Sequence, residues 1–330
     1  MKQEHVDQIA AAVAAVRERK ENGGIDNFYF VACGGSQASM MPIQYMFDRE
    51  ICIPSAIYNS NEFNYGTPKA FGERSVVVTI SHSGTTPETV AAAQKATDAG
   101  AVSICLTNVE DSPLWQAAAN PIHYDHGKDA EESDKSGTVL LKLAFSILAV
   151  VDEAAAERWE GAVAALDGIK DMKAAAVEAY RERVEAWATA NKRAEVIYTM
   201  GSGVNYGEAY SLAICLFMEM QWINSSSIHS GEYFHGPFEI TDFDVPFVMF
   251  MSCGATRFLD ERALAFAQKF SDDVLVIDEA DFDFCGADES VREYLAPEVL
   301  GAVVRTMVDK LAHDRGHDLG VRRYMWQMEY

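Results

Sequence analysis

One α/β unit occurs twice in this chain, and that constrains its fold more than any other feature. Phe28 to Met46 reads as an apolar strand, a glycine turn (Gly34-Gly35) and a helix; Val196 to Met218 repeats the order around Gly201-Ser202-Gly203. Arg74 to Asn108 and Val245 to Asp278 repeat a second module. Each has an apolar strand, a serine-containing turn (Ser81; Ser252), a helix carrying Ala-Gln-Lys (93–95; 267–269) and another apolar strand. The offset is about 170 residues, and a self-similarity of this length reports a duplicated domain. Continuous apolar strands alternating with amphipathic helices give buried parallel sheets covered on both faces. The expected fold class is therefore α/β, with two doubly wound domains, each a parallel sheet flanked by helices. Its parts are an N-terminal helix (1–24), a first domain (25–155), a helical connector (156–190), a second domain (191–315) and a docked C-terminal tail (316–330).

Within that frame, residues 5 to about 20 form an amphipathic helix with Ile9, Val13 and Val16 on one stripe. Ser36 is a candidate N-cap for the helix after the first strand. Strands follow at Ser55–Tyr58, Val76–Ile80, Val102–Leu106 and near Ile122–Tyr124. A long helix runs through Met218, a last helix spans Pro297 to His313, and the acidic stretches at 272–273 and 278–289 read as solvated loops.

Charge excludes one large class of partner. A net charge of −23 repels a polyphosphate backbone, so no nucleic-acid partner is expected. The longest apolar run, Val139 to Val151, is broken by Lys142 and too short to cross a bilayer, so no membrane partner is expected. The six cysteines are widely spaced with no CxxC, as reduced core thiols are. With no leader pattern at the N-terminus, a cytoplasmic protein is expected.

Two stretches carry chemistry. Ser81-His82-Ser83-Gly84-Thr85-Thr86 lies between a strand and a helix that Pro87 opens. There, free N–H groups and the helix dipole favour an anion, and four hydroxyls in six residues add donors. A solvated capping loop is the plainer reading of such a segment; the hydroxyl density favours a phosphate monoester. No lysine follows, so this is not a nucleotide P-loop, and Gly34-Gly35-Ser36 lacks the spacing of a dinucleotide turn. The second stretch holds Glu219, in an apolar helix, and His235, sixteen residues on, before Gly236-Pro237. An acid on a helix and an imidazole on a tight turn can move protons on a small substrate. A solvent-facing helix-end glutamate and a core histidine are the alternatives, and Glu232 is a further candidate. His229, Glu232 and His235, or His313 and His317, match no metal motif, so no metal and no cofactor are expected. Arg322 and Arg323, in an aromatic tail, are candidates for docking over a site or a partner subunit.

These segments resemble the sugar isomerase (SIS) domain family: V-A-C-G-G-S (31–36), I-S-H-S-G-T-T-P-E-T (80–89), and the run from Glu219 through H-S-G-E-Y-F-H-G-P (229–237). The resemblance covers about residues 25 to 320. It implies that Ser81, His82 (through its backbone), Ser83 and Thr86 hold a substrate phosphate and that Gly35 and Ser36 contact the sugar. It further implies that Glu219 abstracts a proton and that His235, supplied by a neighbouring subunit, opens the sugar ring. A homodimer with shared active sites follows. The chain lacks the glutaminase domain and the tail lysine of glucosamine-6-phosphate synthase. Its H-S-G-E-Y-F-H-G-P-F-E segment and aromatic tail look most like deglycases of 6-phosphorylated Amadori compounds, such as fructoselysine 6-phosphate or glucoselysine 6-phosphate. The implied reaction gives a hexose phosphate and a free amine. An aldose–ketose sugar-phosphate isomerase, or a non-catalytic sugar-phosphate sensor, remains open on sequence alone.

Overall fold

The structure is a computed structural model and describes residues 1–329; Tyr330, the end of the expected tail, lies outside the described residues. The chain divides into two compact units, the first ending at Lys170 and the second beginning at Asp171. The division falls inside the segment expected to be a connector. Its helix Ala156–Ala165 belongs to the first unit, and the helix Ile169–Ala190 begins at the boundary.

The first unit contains β1 (Asn27–Ala32), β2 (Ser55–Asn59), β3 (Ser75–Ile80), β4 (Val102–Thr107) and β5 (Asn120–His123). All neighbours are parallel, in the order β2-β1-β3-β4-β5. β1, β3 and β4 are buried at every residue, as strands covered on both faces must be. In this strand order the connections diverge between β1 and β3, and the cleft at their carboxyl ends is where such sheets bind ligands. The turn at Gly35–Ser36 and the loop 81–86 leave those two strands.

The second unit contains β6 (Val196–Gly201), β7 (Asn224–His229), β8 (Phe247–Met251) and β9 (Val274–Asp278), parallel in the order β7-β6-β8-β9. It repeats the first sheet's order without a fifth strand. At the matching position its edge is closed by an internal carboxylate. Asp260 is buried; its Oδ1 accepts from Ser202 Oγ (2.7 Å) and Ser230 Oγ (2.5 Å), and its Oδ2 accepts from Ser252 N (3.1 Å). Those serines follow β6, β7 and β8. Donors that would otherwise face an anion are already satisfied by the protein itself.

Several local expectations are corrected. Ser36 is not an N-cap: the helix starts at Gly34 behind Cys33, because Gly34 adopts φ +58 and turns the chain early. The stripe of the N-terminal helix is His5, Ile9, Ala12 and Val16, with Val13 only half-buried. The helix through Met218 is short and then widened: an α segment (Tyr206–Ser211) continues as a π-helix over Leu212–Gln221. The last helix begins at Glu289, since the Asp288 side chain accepts from Ser290 N (2.9 Å) and caps it. Pro297 lies inside that helix rather than at its start. The cysteines are all free, but Cys52 and Cys285 are exposed and only Cys105 and Cys215 are buried.

The acidic stretch after β9 is not simply a solvated loop, because Glu279 is buried. Burial raises its carboxyl to about 8, with the nearby Asp260 adding to the rise, although Cys253 N donates to its Oε2 (3.0 Å). A carboxyl whose folded pKa lies above its unfolded one contributes stability that is complete below about pH 4.5 and is lost as pH rises through about 8. Glu279→Gln is therefore predicted to flatten the pH dependence of urea unfolding between those values and to be the more stable protein above pH 8. Parallel pH profiles for the two proteins would contradict this.

Candidate active site

Glu219 lies in the last turn of the π-helix. The wider backbone ring of a π-helix marks functional positions more often than chance. The helix ends on Trp222, which holds a left-handed conformation (φ 56) while its N–H bonds to Phe217 O. A bulky residue there is strained and persists only where surrounding contacts hold it. Those contacts come from the tail: the Arg323 guanidinium lies 4.2 Å from the Trp222 ring centroid, and the His317 ring packs edge-on at 4.5 Å. Gln221 Nε2 donates to His317 O (2.9 Å), and Arg315 Nη2 donates to Gln221 O (3.1 Å).

Glu219 itself is partnered. Its Oε1 meets Arg322 Nη2 at 2.7 Å, with the arginine side chain 6% and the glutamate side chain 25% exposed. Arg322 also donates to Leu319 O (2.6 Å) and lies over the Trp326 ring. Its buried Nε has no partner among the described residues. Around this pair is a cavity of about 520 Å³, lined by Met218, Glu219, Trp222, Arg322, Arg323 and Tyr324 among others. Its lining combines apolar side chains, Met218, Trp222 and Ile223, with the two arginines.

His235 and Glu232 are exposed and are not among the residues lining that cavity. His235 closes a 3₁₀ turn, its N–H bonded to Glu232 O (2.9 Å), and Gly236 follows at φ +136, a conformation that favours glycine. The helix carrying His313 ends at Arg315 with Gly316 left-handed, so His317 leaves it and does not share a face with His313.

In the first unit, Ser81 is buried and its Oγ is 2.9 Å from Thr86 Oγ1; Ser83 Oγ is 2.8 Å from Thr85 Oγ1. Paired hydroxyls of this kind can each turn a hydrogen toward an anion. They stand before a twelve-residue helix, Pro87–Asp98, whose N-terminus adds dipole and N–H groups. Gly84 holds the loop's shape. It has φ +65, and a Cβ there would collide with Ser112 Oγ and with Thr107. The His82 ring contacts Tyr124 OH (3.1 Å) and His126; desolvation, then the neighbouring imidazole, lowers its pKa. A neutral ring leaves the loop's anion preference to hydroxyls and backbone.

The chain belongs to the SIS domain family, whose domain model matches residues 25–154. It is 46% identical to "Fructosamine deglycase FrlB" of Bacillus subtilis (strain 168), over 93% of this chain and 93% of that protein. It is 27% identical to "Fructoselysine 6-phosphate deglycase" of Escherichia coli (strain K12), over 94% of this chain and 89% of that one. Among solved structures it matches a Bacillus subtilis protein described as a phosphosugar isomerase with TM-score 0.93 and 43% identity, over 100% of both chains. The C-terminal domain of glucosamine-fructose-6-phosphate aminotransferase from Francisella tularensis (TM-score 0.76, 19% identity, covering 96% of this chain and 94% of that one) shares the fold.

Sequence reasoning found Glu219 and the two arginines separately. It missed their pairing, because residues about a hundred positions apart carry no local signal of contact. If the Glu219–Arg322 pair is what seats the tail, Arg322→Ala will raise local opening of residues 318–329 about tenfold, since losing roughly 1.4 kcal/mol of anchoring is a factor of ten. Hydrogen exchange of the tail amides measures this; unchanged tail exchange would contradict it.

Proposed function

We propose that this chain is a deglycase that cleaves a 6-phosphorylated Amadori-type sugar–amine adduct into a hexose phosphate and a free amine. The observation that carries the reading is the similarity over 93% of the chain to a fructosamine deglycase, together with a carboxylate, Glu219, at the wall of a cavity lined by apolar side chains and two arginines.

In this reading the substrate phosphate is held by Ser81, the backbone of His82, Ser83 and Thr86, with Gly35 and Ser36 against the sugar. His235 transfers the proton that opens the ring. Glu219 then takes a proton from C1 of the open-chain fructosamine. The C–H electrons form the C1=C2 bond of an enolamine while the C2 oxygen gains a proton. Proton return to C2 leaves a C1=N Schiff base, water adds to C1, and the amine departs with its bonding pair. For a fructosamine the products are glucose 6-phosphate and the amine; for a glucosamine-type adduct the first proton comes from C2. The carbonyl and amine of the substrate supply the electron sink, so neither metal nor organic cofactor is required. The amine's aliphatic stem suits Met218 and Trp222, and its carboxylate suits Arg322 and Arg323, Arg322 then exchanging its hold on Glu219 for the substrate.

The active protein in this reading is a cytoplasmic homodimer in which each site takes His235 from the partner subunit. Its exposure, outside the cavity that Glu219 lines, is in keeping with that. Six free cysteines fit a reducing compartment, and among the described residues no helix is long and apolar enough to cross a membrane.

A coupled assay tests the reaction. Incubation with fructoselysine 6-phosphate should release glucose 6-phosphate, read by its dehydrogenase, and Glu219→Gln or His235→Ala should each lower turnover at least about 10²-fold. Release from no phosphorylated amine adduct, with interconversion of free sugar phosphates instead, would replace the deglycase by an isomerase; binding without turnover would leave a sensor. Mixing the two inactive variants should restore about a quarter of wild-type activity, because a randomly paired C2 dimer then has one intact site in every second molecule. No recovery would remove the shared-site arrangement.

A further inference from the structure

Within the first unit a second cluster of chemically active side chains lies apart from the loop 81–86 and plays no part in the proposed reaction. The N-terminal helix Gln3–Glu21 packs against β5, and it buries His5 completely. His5 Nδ1 lies 2.7 Å from Asp134 Oδ1, and His5 Nε2 lies 3.1 Å from His123 Nδ1. His123 Nε2 lies 3.1 Å from Asn108 O. Asp125 Oδ1 is 3.9 Å from His123 Nδ1, and the candidate ligand atoms of His5, His123 and Asp125 all lie within 4.8 Å of one another.

Counting hydrogens along this chain leads to a definite gap. Asn108 O can only accept, so His123 Nε2 carries a hydrogen. Asp134 also accepts. Its Oδ1 already accepts from the Lys2 backbone N–H (2.7 Å) and its Oδ2 from Ser133 Oγ (3.2 Å). His5 Nδ1 therefore carries a hydrogen too. The two remaining ring nitrogens, His5 Nε2 and His123 Nδ1, then face each other at 3.1 Å as two lone pairs, with a carboxylate beside them. Only a cation between them resolves that contact, either one additional proton or a metal ion.

We propose that His5 Nε2, His123 Nδ1 and an Asp125 oxygen form a binding site for a divalent transition-metal ion of the zinc class, which pins the N-terminal helix to the sheet edge. Two imidazoles bound tetrahedrally at about 2.0–2.1 Å stand roughly 3.3 Å apart, a few tenths of an ångström from the observed spacing. The outer partners already match a metal site. Ligating histidines characteristically give their other N–H to a carboxylate or a backbone carbonyl, as His5 does to Asp134 and His123 to Asn108. These supports are themselves fixed: Asn108 Nδ2 donates to Tyr124 O (2.7 Å), and His123 N donates to Gln8 Oε1 (2.7 Å). Asp125 and His123 are each about a fifth exposed, which opens a path from solvent and a fourth position for water. Lys2 Nζ, 2.7 Å from Asp125 Oδ2, competes for the carboxylate, but its side chain is 56% exposed and free to withdraw. The ion takes the place of the shared proton, so each ion bound releases one proton.

The test uses the full chain after chelator treatment. Co²⁺ added to the wild type should give visible ligand-field absorption saturating at one ion per chain. Zn²⁺ should compete it away and raise the melting temperature. Calorimetry in two buffers of different ionisation heat should show about one proton released per ion. His123→Ala should lose the Co²⁺ signal, with circular dichroism confirming its fold, and Asp125→Asn should bind roughly tenfold or more weakly. Absence of the signal in the wild type, or its survival in His123→Ala, overturns the site. Should His123→Ala not fold, unchanged affinity in Asp125→Asn overturns it instead.

Discussion

Parallel pairing is the constraint on which the rest of this structure depends. Strands that all run one way must be joined by crossing helices, so every strand-to-helix turn arrives at the same edge, with its helix N-terminus and unpaired N–H groups pointing there. Each sheet therefore builds an anion-attracting edge whether or not the protein needs one. The two units answer it differently. After β3 the edge is left open and lined with the paired hydroxyls of Ser81, Ser83, Thr85 and Thr86. After β6, β7 and β8 the corresponding serines close on Asp260, so the protein's own carboxylate occupies the place a ligand would take. A duplicated fold thus keeps one loop of open hydroxyls and turns the other into an internal tie.

The second unit is then free to supply different chemistry. Its helix after β6 widens into a π segment, ends on a strained tryptophan, and presents Glu219 to the tail. An unpaired carboxylate among Met218, Trp222 and Ile223 would be costly to bury, and Arg322 offsets that cost with a charge-assisted contact. The tail is thereby attached through the same group that is proposed to do the chemistry. In the proposed reaction, a substrate carboxylate that engages Arg322 and a tail that lets go of Glu219 are parts of one exchange.

Much of this was legible from sequence, for identifiable reasons. The duplication, both sheets and the hydroxyl loop rest on local periodicity and on residue types whose preferences are strong, such as Pro87 at a helix start and the runs around Val31 and Val78. Glu219 and His235 were singled out as candidates by a motif rather than by periodicity. What stayed hidden depends on contacts between distant residues. Glu279 looked like one more acid in an acidic stretch, yet the Cys253 turn covers it. Asp260 carries no local signal, since the three serines that meet on it come from three different turns. His5, on a helix predicted only for its aliphatic stripe, finds His123 118 positions later. The π segment is a matter of backbone winding, for which its ordinary helix-forming residues give no signal.

The central claim is that Glu219 moves a proton from C1 so that the sugar leaves as an aldose. The most direct measurement is the fate of label in a fructosamine 6-phosphate carrying two deuterium atoms at C1. The account predicts glucose 6-phosphate with a single deuterium remaining at C1, formed at least about 10²-fold more slowly when Glu219 is replaced by Gln. Fructose 6-phosphate retaining both deuterium atoms would mean direct displacement of the amine, and would contradict it.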